Sequence, residues 1–330
     1  MKKSINLLIS LGLTLGLLAG CGNAEGKKEE GKYPQKEIEF VVPSSAGGGS
    51  DLNARTIADI AFKNKFTPKN FMVVNKPGGS GAVSFSYVYN KKEDPHTLMV
   101  LHSGQVMSAI VNDSPIKADA LTYIGTVALD ELAICVKSDG KYKNLETMLK
   151  DIKEKSESIK IGGSQRGNGD HLAFEMLNKY TNSKFTYVQF NSSGDAMSAL
   201  LGGHIDAGIF NPLECIGQIE AKKVTPIAVY SPERLTELFK DAPTFKELGY
   251  EEIELREIRA ISGPPNMPAE AVKFYEDLLK KVTETEEWKK NYIEKNLMTN
   301  YYLNSADTKK YFDEQSKLYH DMFKEVGLIK

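Results

Sequence analysis

The sequence predicts an α/β protein of two lobes joined by two crossover strands, and three features predict it. Short apolar runs alternate with longer amphipathic runs, glycine-rich turns separate them, and about 300 residues follow an N-terminal leader and polar tether, enough for two domains. Ile38–Val42 reads as a strand, Ala46-Gly47-Gly48-Gly49 as a turn, and Ser50 to Phe62 as a helix. The order recurs from Phe71–Val74 through Pro77-Gly78-Gly79-Ser80-Gly81 to a helix near Tyr89, and again from Thr97–Leu101 through Ser103-Gly104. Three strand, glycine turn and helix units in succession imply a parallel sheet.

A second set of units begins at Leu132–Val136 and continues with strands near Ile159–Ile161, Phe185–Val188, Ala207–Phe210 and Ile227–Val229. From Pro268 the pattern is helical, with too little strand for a domain, so this segment is expected to pack back on the first lobe. The expected organisation is one lobe over 33–130, a second over 131–254, and a return to the first over 255–330. The chain should cross between them near Asp130 to Val136 and near Glu254 to Ser262.

The first 32 residues carry a separate message. Lys2 and Lys3 precede an apolar run from Ile5 to Leu18, and Leu18-Ala19-Gly20 stands directly before Cys21. This is the pattern of a bacterial lipoprotein signal over 1–20, and its run is shorter than the roughly 20 residues that span a bilayer. Residues 21–32 hold no bulky apolar side chain and read as a flexible tether, with acyl chains on Cys21 holding the protein at the extracytoplasmic face of the cell membrane. No later stretch resembles a membrane span. Removing 1–20 takes away Lys2 and Lys3 and no acid, so the formal charge of −2 becomes −4, a balance that argues against nucleic acid.

Cys135 and Cys215 leave both a disulfide and two buried thiols open. The five histidines lack metal-ligand spacing, so neither a metal nor a cofactor is expected.

Strand-to-helix turns of a parallel sheet lie along its carboxyl edge, where ligands of open α/β sheets bind. In Pro43-Ser44-Ser45-Ala46-Gly47-Gly48-Gly49-Ser50-Asp51 the missing side chains expose backbone N–H groups, and the following helix start favours an anion. Asp51 suits a capping role there. No Gly-Lys-Ser/Thr follows, so the turn is not a nucleotide phosphate loop. Positive charge near the cleft could come from Arg166, Arg256 or Arg259: Arg166 lies in a glycine turn and could clamp a carboxylate in two-point fashion, while Arg256 and Arg259 sit around the second crossing, where pairing with Glu254 or Glu257 explains them equally well.

Several stretches together resemble the substrate-binding receptors of tripartite tricarboxylate transporters. They are Tyr33-Pro34, Pro43 with Ala46-Gly47-Gly48 and Asp51, Asn75-Lys76-Pro77-Gly78, His171-Leu172-Ala173, Leu200 to Asp206, and Gly263-Pro264-Pro265-Asn266-Met267-Pro268. The resemblance implies a type II periplasmic-binding fold closing on a small carboxylate, two integral membrane transporter subunits as partners, and a monomeric receptor without catalysis. Carried over by position, it places the ligand against Ser45, Ala46, Gly47, Gly48 and Gly49, with Ser80, Ser103 and Gly104 nearby. From the second lobe it brings Ser164, Asn168, Gly169, Asn191, Ser192 and Asn211, to which the turn reading adds Arg166, while His171 packs at a helix start. Gln165 to Asn168 depart from the Gly-x-Gly-Ser that the family often carries. A receptor presenting its ligand to a membrane sensor kinase, and a two-domain α/β enzyme, are the alternatives. The second lacks a Gly-x-Ser-x-Gly elbow or a Ser-x-x-Lys pair.

Overall fold

A computed structural model describes residues 33–154, 158–164 and 166–330; the stretch expected to be an export signal, Cys21 and the expected tether lie outside them. The strands form two sheets. In the first, β1 (Ile38–Val42) lies between β2 (Phe71–Asn75) and β3 (Thr97–His102), all parallel. Both faces of β1 and β3 are largely covered, so apart from Glu39 their central residues, Phe40–Val42 and Leu98–Leu101, are apolar without alternation. The sheet then continues antiparallel through β10 (Glu257–Gly263), β4 (Thr122–Asp130) and β11 (Thr299–Leu303).

The second sheet has the order β7 (Thr186–Phe190), β6 (Lys160–Ser164), β8 (Ala207–Phe210), β5 (Ala133–Lys137) and β9 (Val224–Val229). Its first three strands are parallel, and β5 runs antiparallel to both β8 and β9. The α/β fold with two sheets thus stands as expected, and each sheet is mixed rather than wholly parallel. The antiparallel members β4, β10 and β11 carry no glycine turn and helix of the repeating kind, so the pattern that revealed their neighbours passes over them. The β10 stretch, read from sequence as a crossing, becomes a central strand of the first sheet.

On one face of the first sheet, α1 (Gly49–Lys63), α8 (Ala269–Glu284) and α9 (Glu286–Trp288) bury Ile57, Tyr275 and Trp288 against Phe40 and Val100. On the other, α2 (Ala82–Tyr89), α3 (Ser103–Val111) and α10 (Ser305–Glu325) bury Phe85, Met107 and Phe312. Around the second sheet, α4 (Leu145–Glu154) and α5 (Gly169–Thr181) bury Met148 and Leu177 in that same cluster, while α6 (Ser193–Leu201) and α7 (Pro212–Glu220) pack Leu200 and Cys215 with Phe210. Cys135 and Cys215 are free and buried, which resolves that choice for thiols.

The C-terminal helix returns to the first lobe and also reaches the second. Tyr319 and Phe323 of α10 share a core with Leu172 and Met176 of α5, and Lys179 pairs with Glu325 at 2.6 Å. Among the described residues no helix is long and apolar enough to cross a membrane.

The chain passes from β4 to β5 through Glu131 and Leu132 and returns at β10, and polar contacts tie these two passages together. Glu131, fully buried, accepts from Arg256 Nε at 3.1 Å and from the Thr299 hydroxyl at 2.7 Å. Asn211 Nδ2 donates to the Glu131 carbonyl at 2.8 Å and to Glu257 Oε2 at 3.2 Å. Removing the cation would strand a buried carboxylate, a loss of about 3–5 kcal/mol in comparable pairs. Arg256→Leu is therefore expected to lower the unfolding free energy by about 3 kcal/mol in urea titration. Adding Glu131→Gln should restore most of it; a double variant as unstable as the single one would show that the stranded charge is not the cause.

Candidate functional site

Gly49 opens α1 without a side-chain cap, and Asp51 one turn inside takes over the bonding of the preceding loop. Asp51 Oδ2 accepts from Gly47 N at 2.9 Å and Arg55 Nε at 2.9 Å, and its Oδ1 accepts from Asn75 Nδ2 at 2.9 Å. The Arg55 hydrogen bond, opposed by burial and aided by Gly47 and Asn75, holds this carboxyl down at about 2. Gly47 sits at φ 84°, where a side chain is strained, so the turn needs glycine there. Asp51 is thus a pin for its own turn, as its position in sequence suggested.

The helices α1, α3, α5 and α7 follow β1, β3, β6 and β8, which are neighbours within their sheets. Their N-termini meet at a cavity of about 370 Å³. One wall is Pro43, Ser44, Gly49, Ser50, Ser80, His102, Gly104, Gln105 and Ser108; the facing wall is Ser164, Asn168, Asp170, Asn211 and Glu214; Glu257 and Arg259 of β10 complete the lining.

Of the residues singled out in sequence, Gly49, Ser80, Gly104, Ser164, Asn168 and Asn211 line this cavity. The others stand elsewhere. Ser45, Ala46, Gly47 and Gly48 form the outer part of their turn, beyond the lining. Ser103 is fully buried and its hydroxyl accepts from Ile258 N at 2.7 Å, tying α3 to β10. Gly169 lies behind the wall, so close to Glu257 that a Cβ would sit 2.4 Å from its carboxylate oxygen. Asn191 and Ser192 are exposed, and Ser192 caps α6 by accepting from Asp195 N. Arg166 is exposed on its turn and lies outside the lining, because the turn directs Asn168, not the arginine, inward. His171 stacks on Tyr187 with ring centroids 4.4 Å apart and accepts from Gly167 N, a packing residue.

Of the charged floor, sequence offered Arg259 only as one of three arginines near the cleft, and it did not point to Glu257, Asp130 or His102. Arg259, on the second crossing, pairs with Asp130 on the first, through Nε at 3.1 Å and through Nη2, and both are buried. Its free edge faces α1. A Cβ on Gly49 would lie 2.9 Å from Nη2 and 3.2 Å from Nη1, so glycine is what allows the guanidinium to reach the helix start. Nη1 has no acceptor among the described residues.

His102 caps α3, its Nδ1 accepting from Gly104 N at 3.2 Å, which places any single proton on Nε2. Burial, then the charge of Arg259, pushes its pKa down to about 3, so the ring is neutral. Glu257 has the opposite fate. Burial, then the nearby Asp170 and Asp130 carboxylates, raises it to about 8, so at neutral pH it mostly holds a proton. Asp170 is also raised, chiefly by burial, although its Oδ2 accepts from Ser164 N at 2.8 Å and Ser164 Oγ at 2.7 Å. Glu214 accepts from Ser193 Oγ at 2.6 Å and from Asn211 N at 3.0 Å.

The profile of the tripartite tricarboxylate transporter family receptor matches residues 54–328. A curated relative, a "UPF0065 protein in gbd 5'region" of Cupriavidus necator, is 25% identical over 324 residues, 96% of this chain and 94% of its own length. A solute-binding protein from Polaromonas, solved without ligand, superposes with TM-score 0.76 at 26% identity, covering 89% of this chain and 99% of that one. A protein of R. palustris solved with adipate has the same fold, with TM-score 0.76, 20% identity, and coverage of 89% and 98%.

The sign of the Glu257 displacement sets a pH dependence. A carboxyl raised by folding favours the native state below its ordinary 4.5, and that contribution fades as pH climbs to about 8. Glu257→Gln should therefore flatten the fall in apparent melting temperature between those values, and leave the ligand-free protein more stable than the parent at alkaline pH. An unchanged slope in a melting series would assign the pH dependence to other groups.

Proposed function

The chain belongs to the tripartite tricarboxylate transporter receptor family, and on that premise we propose that it captures a small carboxylate at Gly49 and Arg259 and passes it to two integral membrane transporter subunits. The observation that carries this reading is the free Nη1 edge of Arg259, buried, held by Asp130 and set against the N-terminus of α1. A guanidinium and a helix start both favour an anion, and withdrawal from bulk water strengthens each. Ser44, Ser50 and Ser80 stand along the same wall as hydroxyl donors. The adipate bound by a protein of the same fold adds support for a carboxylate.

In this reading residues 33–130 and 255–330 form the lobe that holds the carboxylate, and 131–254 the lobe that closes on it. Lipid on Cys21 keeps the monomer beside its transporter. Nothing in the cleft calls for catalysis. The one histidine lining it is neutral with Nδ1 already accepting a backbone N–H, a poor start for a general base.

Thermal shift of the purified protein against a panel of organic acids should find ligands that raise the melting temperature and are recovered unchanged by mass spectrometry. Recovery of a converted product would overturn the receptor reading. Gly49→Ala should push the guanidinium off the helix start and weaken carboxylate binding on the order of tenfold, about 1.4 kcal/mol. Cys21→Ser should shift the exported protein from the membrane fraction to the soluble one; continued membrane retention would refute the anchor.

A further inference from the structure

The two walls of the cleft differ in charge. On the first wall the acid of the α1 turn, Asp51, is matched by Arg55 at 2.9 Å, α3 has no acid in its first turn, and Arg259, itself paired with Asp130, turns its Nη1 edge to the cavity. On the second wall α5 and α7 both carry an acid in the first turn, Asp170 and Glu214, and both of these line the cavity. Among the described residues neither forms an ion pair with a lysine or arginine.

Glu257 closes the same side. Its side chain is 5% exposed, and Oε2 takes one hydrogen bond, from Asn211. Oε1 faces His102 Nδ1 at 3.9 Å, but that nitrogen already accepts from Gly104 N and has no proton to offer. Oε1 accepts no hydrogen bond from the described residues, although a buried carboxylate is costly without a proton or cation beside it.

We propose that the ligand carries a cationic nitrogen as well as a carboxylate, the carboxylate against Gly49 and Arg259 and the nitrogen against Glu257, Asp170 and Glu214. The proposal rests on the receptor reading of this cleft and names its substrate class, an amino-carboxylate. A protonated amine is a compact charge with three donors, suited to carboxyl oxygens converging from different elements. A plain dicarboxylate would offer these three carboxyl groups no cation. Glu257 faces Asp170, Asp130, Arg259, neutral His102 and Asn211, and ligand-free it mostly holds a proton at neutral pH. The arriving ammonium displaces that proton to solvent, so binding releases protons and strengthens as pH rises from about 6 to about 8.

Calorimetry with matched probes tests this: L-aspartate against succinate, L-glutamate against glutarate, and γ-aminobutyrate against butyrate. At least one amine-bearing member is expected to bind tenfold or more tightly than its amine-free partner, with buffer-dependent heats that report proton release. Glu257→Gln should erase that preference while leaving the ligand-free protein folded by circular dichroism, and Glu214→Gln, which preserves the helix cap, should reduce it. Equal or tighter binding of the amine-free acids would overturn the proposal and leave the receptor reading standing. Binding of no carboxylate in either set would overturn both.

Discussion

The ion pair between Arg259 and Asp130 is the constraint on which the cleft depends. It joins the two passages between the lobes, and it presents a guanidinium edge to the start of α1 at a fixed place. Several other requirements follow from it. Gly49 must lack a side chain because the guanidinium occupies that space, and the loop before Gly49 must be held by Asp51, Arg55 and Asn75 because glycines hold nothing themselves. His102 stays neutral in part because the same arginine stands beside it. A guanidinium buried beside its counter-ion gives less stability than its Coulomb energy implies, since desolvation consumes most of that energy. What it supplies here is position.

The helix starts show how one backbone feature yields two chemistries. All four N-termini at the cavity present N–H groups and partial positive charge. On the first wall that potential remains available, with Asp51 neutralised by Arg55 and no first-turn acid on α3. On the second wall Asp170 and Glu214 take it up for their own turns, through Ser164, Ser193 and Asn211. An anion-seeking turn is therefore a property of the bare glycine loop, and the side chains around it decide whether the site still attracts an anion.

Contacts beside the cleft span both lobes. Asn211 bonds to both passages, and α10 buries Tyr319 and Phe323 in a core shared with α5. Close packing of that shared core resists continuous deformation. The bidentate Arg256 to Glu131 contact joins the two passages beside it.

Sequence alone determined the repeating strand, turn and helix units, the two crossings and the glycine turns, because local periodicity and turn chemistry are written in consecutive residues. It also pointed to Gly49, Ser80, Gly104, Ser164, Asn168 and Asn211, which line the cavity at strand-to-helix turns. Tertiary structure decided which charges face the cavity. Arg166 looked exposed to a ligand by its turn and lies outside the lining, whereas Arg259, Glu257 and His102 sit in or beside strands that looked merely structural. Their roles come from partners far along the chain: Asp130 is 129 residues before Arg259, and Glu257 lies 46 residues after Asn211. Only when the fold brings such residues within hydrogen-bond reach, away from water, do their protonation states and free edges acquire chemical meaning.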